Sequence, residues 1–299
     1  TTEKPECHML YNVTTMATTW HTLATGDASL LKRQMEAVCA LPGEFLFLNY
    51  LRCHDDIGWG LDYPWLRERF GADEVAHKKY LNDYFTGKWP GSPARGELYN
   101  DDPRLGDARL CGTTASLCGL EAADGEEDPV KVEQAVSCDL TLHAFMLSQS
   151  GIPVLYSGDE VGQFNDCAYH DDPEKREDSR YLHRGAFRWD LAERRKDPET
   201  YQGKLFLGLR RLEEIRAGEP CFDQGAEAWV EESGDRRVLA LCRRQGDREL
   251  VCLYNFSREF VTAGVQRPGS YTELMYGQKY DGIGQVTLYP CGFAWLLRD

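Results

Sequence analysis

The stretch Phe45-Leu46-Phe47-Leu48-Asn49-Tyr50-Leu51 runs directly into Arg52-Cys53-His54-Asp55-Asp56-Ile57-Gly58-Trp59-Gly60-Leu61. The first part is apolar almost throughout and too short for a helix of ordinary length, so it reads as a buried strand. A strand that ends in His-Asp-Asp carries acid and imidazole to its carboxyl end, where ligands bind in parallel α/β architectures. Two tryptophans follow, Trp59 and Trp65. Aromatic faces pack on sugar rings, and carboxylates accept hydrogen bonds from hydroxyls. The segment therefore has the makeup of a carbohydrate-processing site.

The composition of the rest of the chain agrees with a neutral ligand. With 299 residues, 42% of them hydrophobic, the chain can bury a sizeable core and is expected to form one large domain and one small one. Its 49 acidic against 34 basic residues give a net charge of −15. Such a field repels phosphate backbones and anionic lipid, so no nucleic-acid or membrane partner is expected. No stretch approaches the roughly 20 apolar residues of a membrane span. Thr1-Thr2-Glu3-Lys4-Pro5 lacks both the basic start and the apolar run of a signal peptide and lacks an initiator Met, which reads as a processed or cut end. The eleven cysteines are scattered with no C-x-x-C pair, so neither zinc ligation nor a disulfide framework is expected, and a cytoplasmic setting fits. Cys53 could serve as a thiol nucleophile, but a small, apolar, buried side chain is the commoner role.

Along the chain, residues 6–12 read as a short strand entering a loop, and 13–37 as a helix broken at Gly26-Asp27. A Leu41-Pro42-Gly43 turn precedes the strand at 45–51. Residues 60–110 mix glycine, proline, charge and aromatics with helical signal only at 74–86, the mark of a lid or binding loop. Asp128-Pro129 opens a helix with an apolar stripe (Val132, Val136, Leu140, Leu147). A strand at 152–156, a polar loop at 163–180 and a helix at about 200–217 complete an alternating βα pattern. From about 226 the pattern changes to short β-rich runs (228–230, 238–242, 250–254, 286–288 and 293–297), separated by turns such as Ser233-Gly234-Asp235. These predict a small antiparallel β-sandwich. About three strands precede residue 217, whereas a closed (β/α)₈ barrel needs eight. The residues alone leave two architectures open: a small open sheet, or the last part of a barrel.

Four segments bear on that choice: Asn49 through Trp59, Gly106 through Gly112, Pro153 through Gly162, and Asp178-Ser179-Arg180-Tyr181-Leu182-His183-Arg184. In order and separation they resemble the amylosucrase-like enzymes of the α-amylase superfamily, retaining glycoside enzymes. The resemblance implies an α/β chain that supplies about strands 6–8 of a TIM (β/α)₈ barrel. It assigns residues 1–220 to that barrel portion, with an active-site-covering insertion at 60–115, and 226–299 to a C-terminal β-sandwich. It implies that Asp55 is the catalytic transition-state stabiliser, and that His54, Asp56, Arg109 and Arg180 bind substrate. Arg180 would close the bottom of the sugar pocket, while Asp56 and Arg109 would contact the second sugar. Glu160 falls where the family has a structural residue after strand eight.

A retaining glycosidase uses a nucleophilic carboxylate and an acid/base carboxyl roughly 5–5.5 Å apart. The family carries them on strands four and five. No Gly-x-Arg-x-Asp occurs here, and Gly185-Ala186-Phe187-Arg188-Trp189-Asp190 has the wrong spacing. The expected parent enzyme cleaves an α-glucosidic bond of sucrose, maltooligosaccharide or α-glucan and passes glucose to a glucan or to water. This chain alone is expected to be inactive. No cofactor and no metal are implied. The expected partners besides the sugar are the missing N-terminal half of the barrel or a second copy of the chain. The family's loop Asp-His-Arg stands here as Ala76-His77-Lys78, a point charge in place of a planar fork. The alternatives are another hydrolase or isomerase of the superfamily, or a non-catalytic sugar-binding module.

Overall fold

The computed structural model of the protein describes residues 7–299. In chain order these form β1 (Met9–Tyr11), α1 (Val13–Thr25), α2 (Ser29–Cys39), β2 (Leu46–Tyr50), β3 (Ile57–Gly58), α3 (Tyr63–Phe70), α4 (Glu74–Phe85), β4 (Glu97–Asp102), β5 (Asp107–Cys111), α5 (Thr114–Cys118), α6 (Leu120–Gly125), α7 (Pro129–Ser148), β6 (Ile152–Val154), α8 (Trp189–Glu193), α9 (Tyr201–Gly218), β7 (Glu227–Glu231), β8 (Val238–Gln245), β9 (Arg248–Asn255), β10 (Val261–Ala263), β11 (Ser270–Glu273), β12 (Lys279–Asp281), β13 (Val286–Leu288) and β14 (Phe293–Arg298). Among the described residues no helix is long and apolar enough to cross a membrane. The chain packs into two compact units that are interleaved in sequence.

One unit holds the described residues up to Tyr50, Thr141–Val154 and Arg210–Asp299. Its first sheet is parallel, in the order β1-β2-β6, with Met9 opposite Leu46 and Leu48 opposite Ile152. The helical break expected at Gly26 is present: this glycine takes φ 63° as the left-handed cap of α1, and its N–H bonds the Thr22 carbonyl at 2.8 Å. Buried Asn12, Asn49 and Gln149 satisfy one another, with Asn12 Nδ2 donating to Asn49 Oδ1 at 2.9 Å and to Gln149 Oε1 at 3.3 Å.

The C-terminal part of this unit is a six-stranded antiparallel sheet, β12-β11-β14-β9-β8-β7, beside a two-stranded one, β10-β13. Alternate apolar residues of both sheets (Ala240, Cys242, Val251 and Leu253 with Val261, Val286 and Leu288) form one core. Full burial of such a Leu or Val contributes about 1.5–3 kcal/mol. Strands β10, β11 and β12, each of three or four residues, are additional to the β-rich runs expected from sequence.

The other unit holds Leu51–Leu140 and Leu155–Leu209. Here the expectation of a largely irregular excursion over 60–110 is corrected. The Asp62 side chain accepts from the Trp65 N–H with Pro64 in the first turn, which starts α3; Asp73 accepts from the Ala76 N–H and starts α4. Strands β3, β5 and β4 then form a three-stranded antiparallel sheet. Consequently six strands, not about three, precede residue 217 among the described residues. The unit's core joins Ala115, Leu120, Ala135, Val136 and Leu205. A smaller cluster of Cys111, Tyr169 and Leu182 lies against Tyr99 and Tyr181.

Candidate functional site

The segment Arg52–Asp56 that follows β2 is held by its own Arg52 and by Arg180, His183 and Arg184 of the facing turn. Arg52 is 1% exposed, and its Nη2 donates to the carbonyl oxygens of Cys53 at 3.2 Å and Asp55 at 3.4 Å. Burial lowers the Arg52 pKa, opposed by the nearby Cys111 and Asp159.

Facing this loop is a 3-10 turn, Ser179–His183, started by Asp178, whose carboxylate accepts from the Arg180 N–H. In a 3-10 turn residues i and i+3 lie on the same side. Arg180 and His183 accordingly both reach the 52–56 loop. Arg180 Nη1 bonds Asp55 Oδ1 at 3.3 Å, and His183 Nε2 lies 3.3 Å from the His54 carbonyl. Arg184 Nε donates to the same His54 carbonyl at 2.6 Å.

The Arg180 guanidinium is itself fixed. Its Nε and Nη2 form a two-pronged pair with Asp178, each at 2.8 Å, and its Cζ stands 4.8 Å over the Tyr99 ring. Arg180 thereby stays protonated well above its usual range, chiefly through the Asp178 hydrogen bond. Strand β4 supports the turn from the side, since Ser179 Oγ donates to the Leu98 carbonyl at 3.1 Å.

The adjacent carboxylates of Asp55 and Asp56 sit in different surroundings. Asp55 keeps 54% of its side chain exposed. Desolvation pushes its pKa up, but the Asp56 N–H and Arg180 outweigh that and hold it below the ordinary value. Both bonds fall on Oδ1, at 3.0 Å and 3.3 Å, and the Asp56 carboxylate stands close beside the Asp55 carboxylate. Asp56 is 17% exposed and 3.9 Å from Arg109 Nε. Desolvation first, and then the charge of Asp55, raise its pKa against the pull of Arg109. Arg109 reaches Asp56 by crossing Gly58, where a Cβ would lie 1.9 Å from its Nη1.

The structure therefore brings Asp55 to Arg180, and Asp56 to Arg109, as single contacts of one surface. His54 contributes its carbonyl to the same loop, and its side chain is exposed. Sequence reasoning did not single out Arg52, Tyr99, Asp178, His183 or Arg184 individually. The signal lay in the spacing Asp178-x-Arg180-x-x-His183-Arg184, which a single 3-10 turn resolves onto one face. Glu160 caps its own turn, accepting from the Gly158 N–H at 2.8 Å. Trp59 is core: it is 3% exposed, donates to Asn82 Oδ1 at 2.8 Å and stacks on Phe85. Cys53 Sγ accepts from the Asp55 N–H at 3.4 Å. Among the described residues no group of three or more His, Cys, Asp and Glu side chains is placed to hold a metal ion.

No family model matches the chain. A curated relative, glucosylglycerate phosphorylase of Allomeiothermus silvanus, is 27% identical over 299 residues, covering 98% of this chain and 48% of that enzyme. The chain thus spans about half the length of the curated relative it matches. AmyP in its complex with maltose superposes with a TM-score of 0.62 at 14% identity, over 99% of this chain and 51% of AmyP. An α-amylase from H. orenii superposes with a TM-score of 0.56 at 12% identity, over 98% of this chain and 49% of the amylase. By sequence the chain is similar to a glucosylglycerate phosphorylase, and by fold it is similar to AmyP and to the H. orenii α-amylase.

Proposed function

We propose that this chain supplies the sixth to eighth βα units and the C-terminal β-domain of a retaining, amylosucrase-like α-glucoside enzyme, and that Asp55 steadies the sugar in its transition state. On this reading residues 1–220 are barrel, 60–115 cover the active site, and 226–299 are the β-domain. The parallel order β1-β2-β6 supports the three-unit assignment, because it places consecutive strands side by side. The observation that carries the reading is the Asp55 carboxylate: ionised, half open to solvent, and fixed by Arg180 at 3.3 Å.

In the enzyme so formed, a carboxylate from another strand attacks the anomeric carbon while a carboxylic acid gives its proton to the departing glycosidic oxygen. The C1–O bond breaks as the glucosyl ester forms. An acceptor oxygen then attacks C1, its proton passes to the conjugate base, and the nucleophile leaves as carboxylate. Asp55 accepts hydrogen bonds from the ring hydroxyls, and these tighten as positive charge grows. His54 donates to the same ring, Arg180 holds Asp55, and Asp56 with Arg109 contacts the second sugar or the acceptor. This chain by itself brings neither nucleophile nor acid/base and does not turn over.

A second reading, phosphorolysis, is favoured by the glucosylglycerate phosphorylase relative: inorganic phosphate would then be the acceptor and glucose 1-phosphate the product. The test is an assay of the enzyme that contains this chain on sucrose, maltose and glucosylglycerate, with and without phosphate. Fructose or glucose released without phosphate supports transfer or hydrolysis, and glucose 1-phosphate supports phosphorolysis. Turnover of none, or full activity in Asp55→Asn, overturns the assignment.

A further inference from the structure

Three separate contacts join the 3-10 turn to the 52–56 loop, and two of them land on one atom. The His54 carbonyl receives Arg184 Nε at 2.6 Å and His183 Nε2 at 3.3 Å, while Arg180 takes the Asp55 carboxylate. From the other side Arg52 takes the Cys53 and Asp55 carbonyls. The loop is thus gripped largely by its backbone, while His54 and Asp55 stay exposed.

His183 does more than grip. Its Nδ1 accepts from the Gly112 N–H at 3.3 Å, immediately after β5, the central strand of the β3-β5-β4 sheet. An imidazole that accepts at Nδ1 and meets a carbonyl at Nε2 is neutral and carries its proton on Nε2. Burial first, and then the charge of Arg52, lower its pKa to about 2, consistent with that state. Strand β5 also carries Arg109, which reaches Asp56. We propose that His183 is a positioning residue: it ties the Asp55 loop to the sheet that carries Arg109, so that the donor-sugar carboxylate and the acceptor-side arginine are set as one rigid piece. This rests on the assignment of Asp55 above.

The test has a structural arm and a kinetic one. In this chain, His183→Ala should speed amide exchange at Gly112 and at Asp55–Asp56 together, at least 10-fold, while Leu142 stays unchanged. His183→Gln offers an acceptor and a donor in the same place and should restore both sites to within about 3-fold. In the enzyme that contains this chain, His183→Ala should lower kcat at least 10-fold with KM changed less than 3-fold, and His183→Gln should recover most of it. Should His183→Ala fail to fold, the ¹⁵N signals of the unsubstituted chain decide: a protonated Nε2 and bare Nδ1 from pH 5 to 8 are expected. The opposite tautomer, a titrating imidazole, or exchange at Gly112 that changes without Asp55 overturns the inference. An enzyme inactive on every α-glucoside overturns the catalytic reading alone, because the exchange measurement still decides the tie.

Discussion

Two neighbouring aspartates in one loop are pushed in opposite directions by what surrounds them, Asp55 down and Asp56 up. On the proposed reading of Asp55 as a transition-state contact, Asp55→Asn in the enzyme that contains this chain is expected to cut kcat by about 100-fold or more. Because its side chain is more than half exposed, melting temperature should barely move. Arg180→Lys keeps the charge but loses the two-pronged bond to Asp178, and kcat should fall ~10-fold, read by steady-state kinetics. His183 has its own signature. Its folded pKa lies below the ordinary 6.5, so the unfolded chain takes up the proton first as pH drops. The stability this group contributes is complete above about pH 6.5 and declines at up to about 1.4 kcal/mol per pH unit on acidification. Urea denaturation at pH 7 and pH 5 measures it as the part of the loss that His183→Gln removes. The sequence singles out Asp55 and Arg180 only through the resemblance of their motifs, and the 3.3 Å contact between them is what the structure adds. Arg52 and His183 were not legible, since they act on carbonyls, and every residue owns a carbonyl.

Local structure was read best where one signal dominates. The helix after Asp128-Pro129 and the break at Gly26 emerged as expected. The excursion over 60–110 was misread because its helices and strands are short and β4, Glu97–Asp102, has neither alternation nor an apolar run. Those strands pair through backbone bonds that side-chain patterning does not announce. Two substitutions test the elements themselves. Trp59→Phe strands the buried Asn82 oxygen and should cost ~1–3 kcal/mol in denaturant titration while leaving KM for sugar unchanged. Gly58→Ala meets only the flexible end of Arg109, so its stability cost should stay under about 1 kcal/mol. It should nevertheless push Arg109 off Asp56 and, on the proposed reading of that pair, raise KM for the second substrate.

At the scale of the molecule, the parallel β1-β2-β6 sheet is the feature that calls for a partner. Parallel sheets are normally covered on both faces. Here Met9, Leu10 and Tyr11 of edge strand β1 are exposed, as is Ile152 of edge strand β6. The chain produced alone should therefore self-associate, measured by light scattering, and Leu10→Lys with Tyr11→Lys should shift it toward monomer by charging the edge. The C-terminal β-rich region was visible from its turn spacing. The interleaving of the two units was not, because packing between segments far apart in sequence leaves no local trace.

The tip joining β4 to β5 holds Arg104, with 86% of its side chain exposed, and Leu105, at 55%. Trypsin has ready access to such a bond. A single nick there would leave both halves of the ribbon zipped by their ladder, so the cut protein should run as one species on a native gel and part into two bands only in detergent.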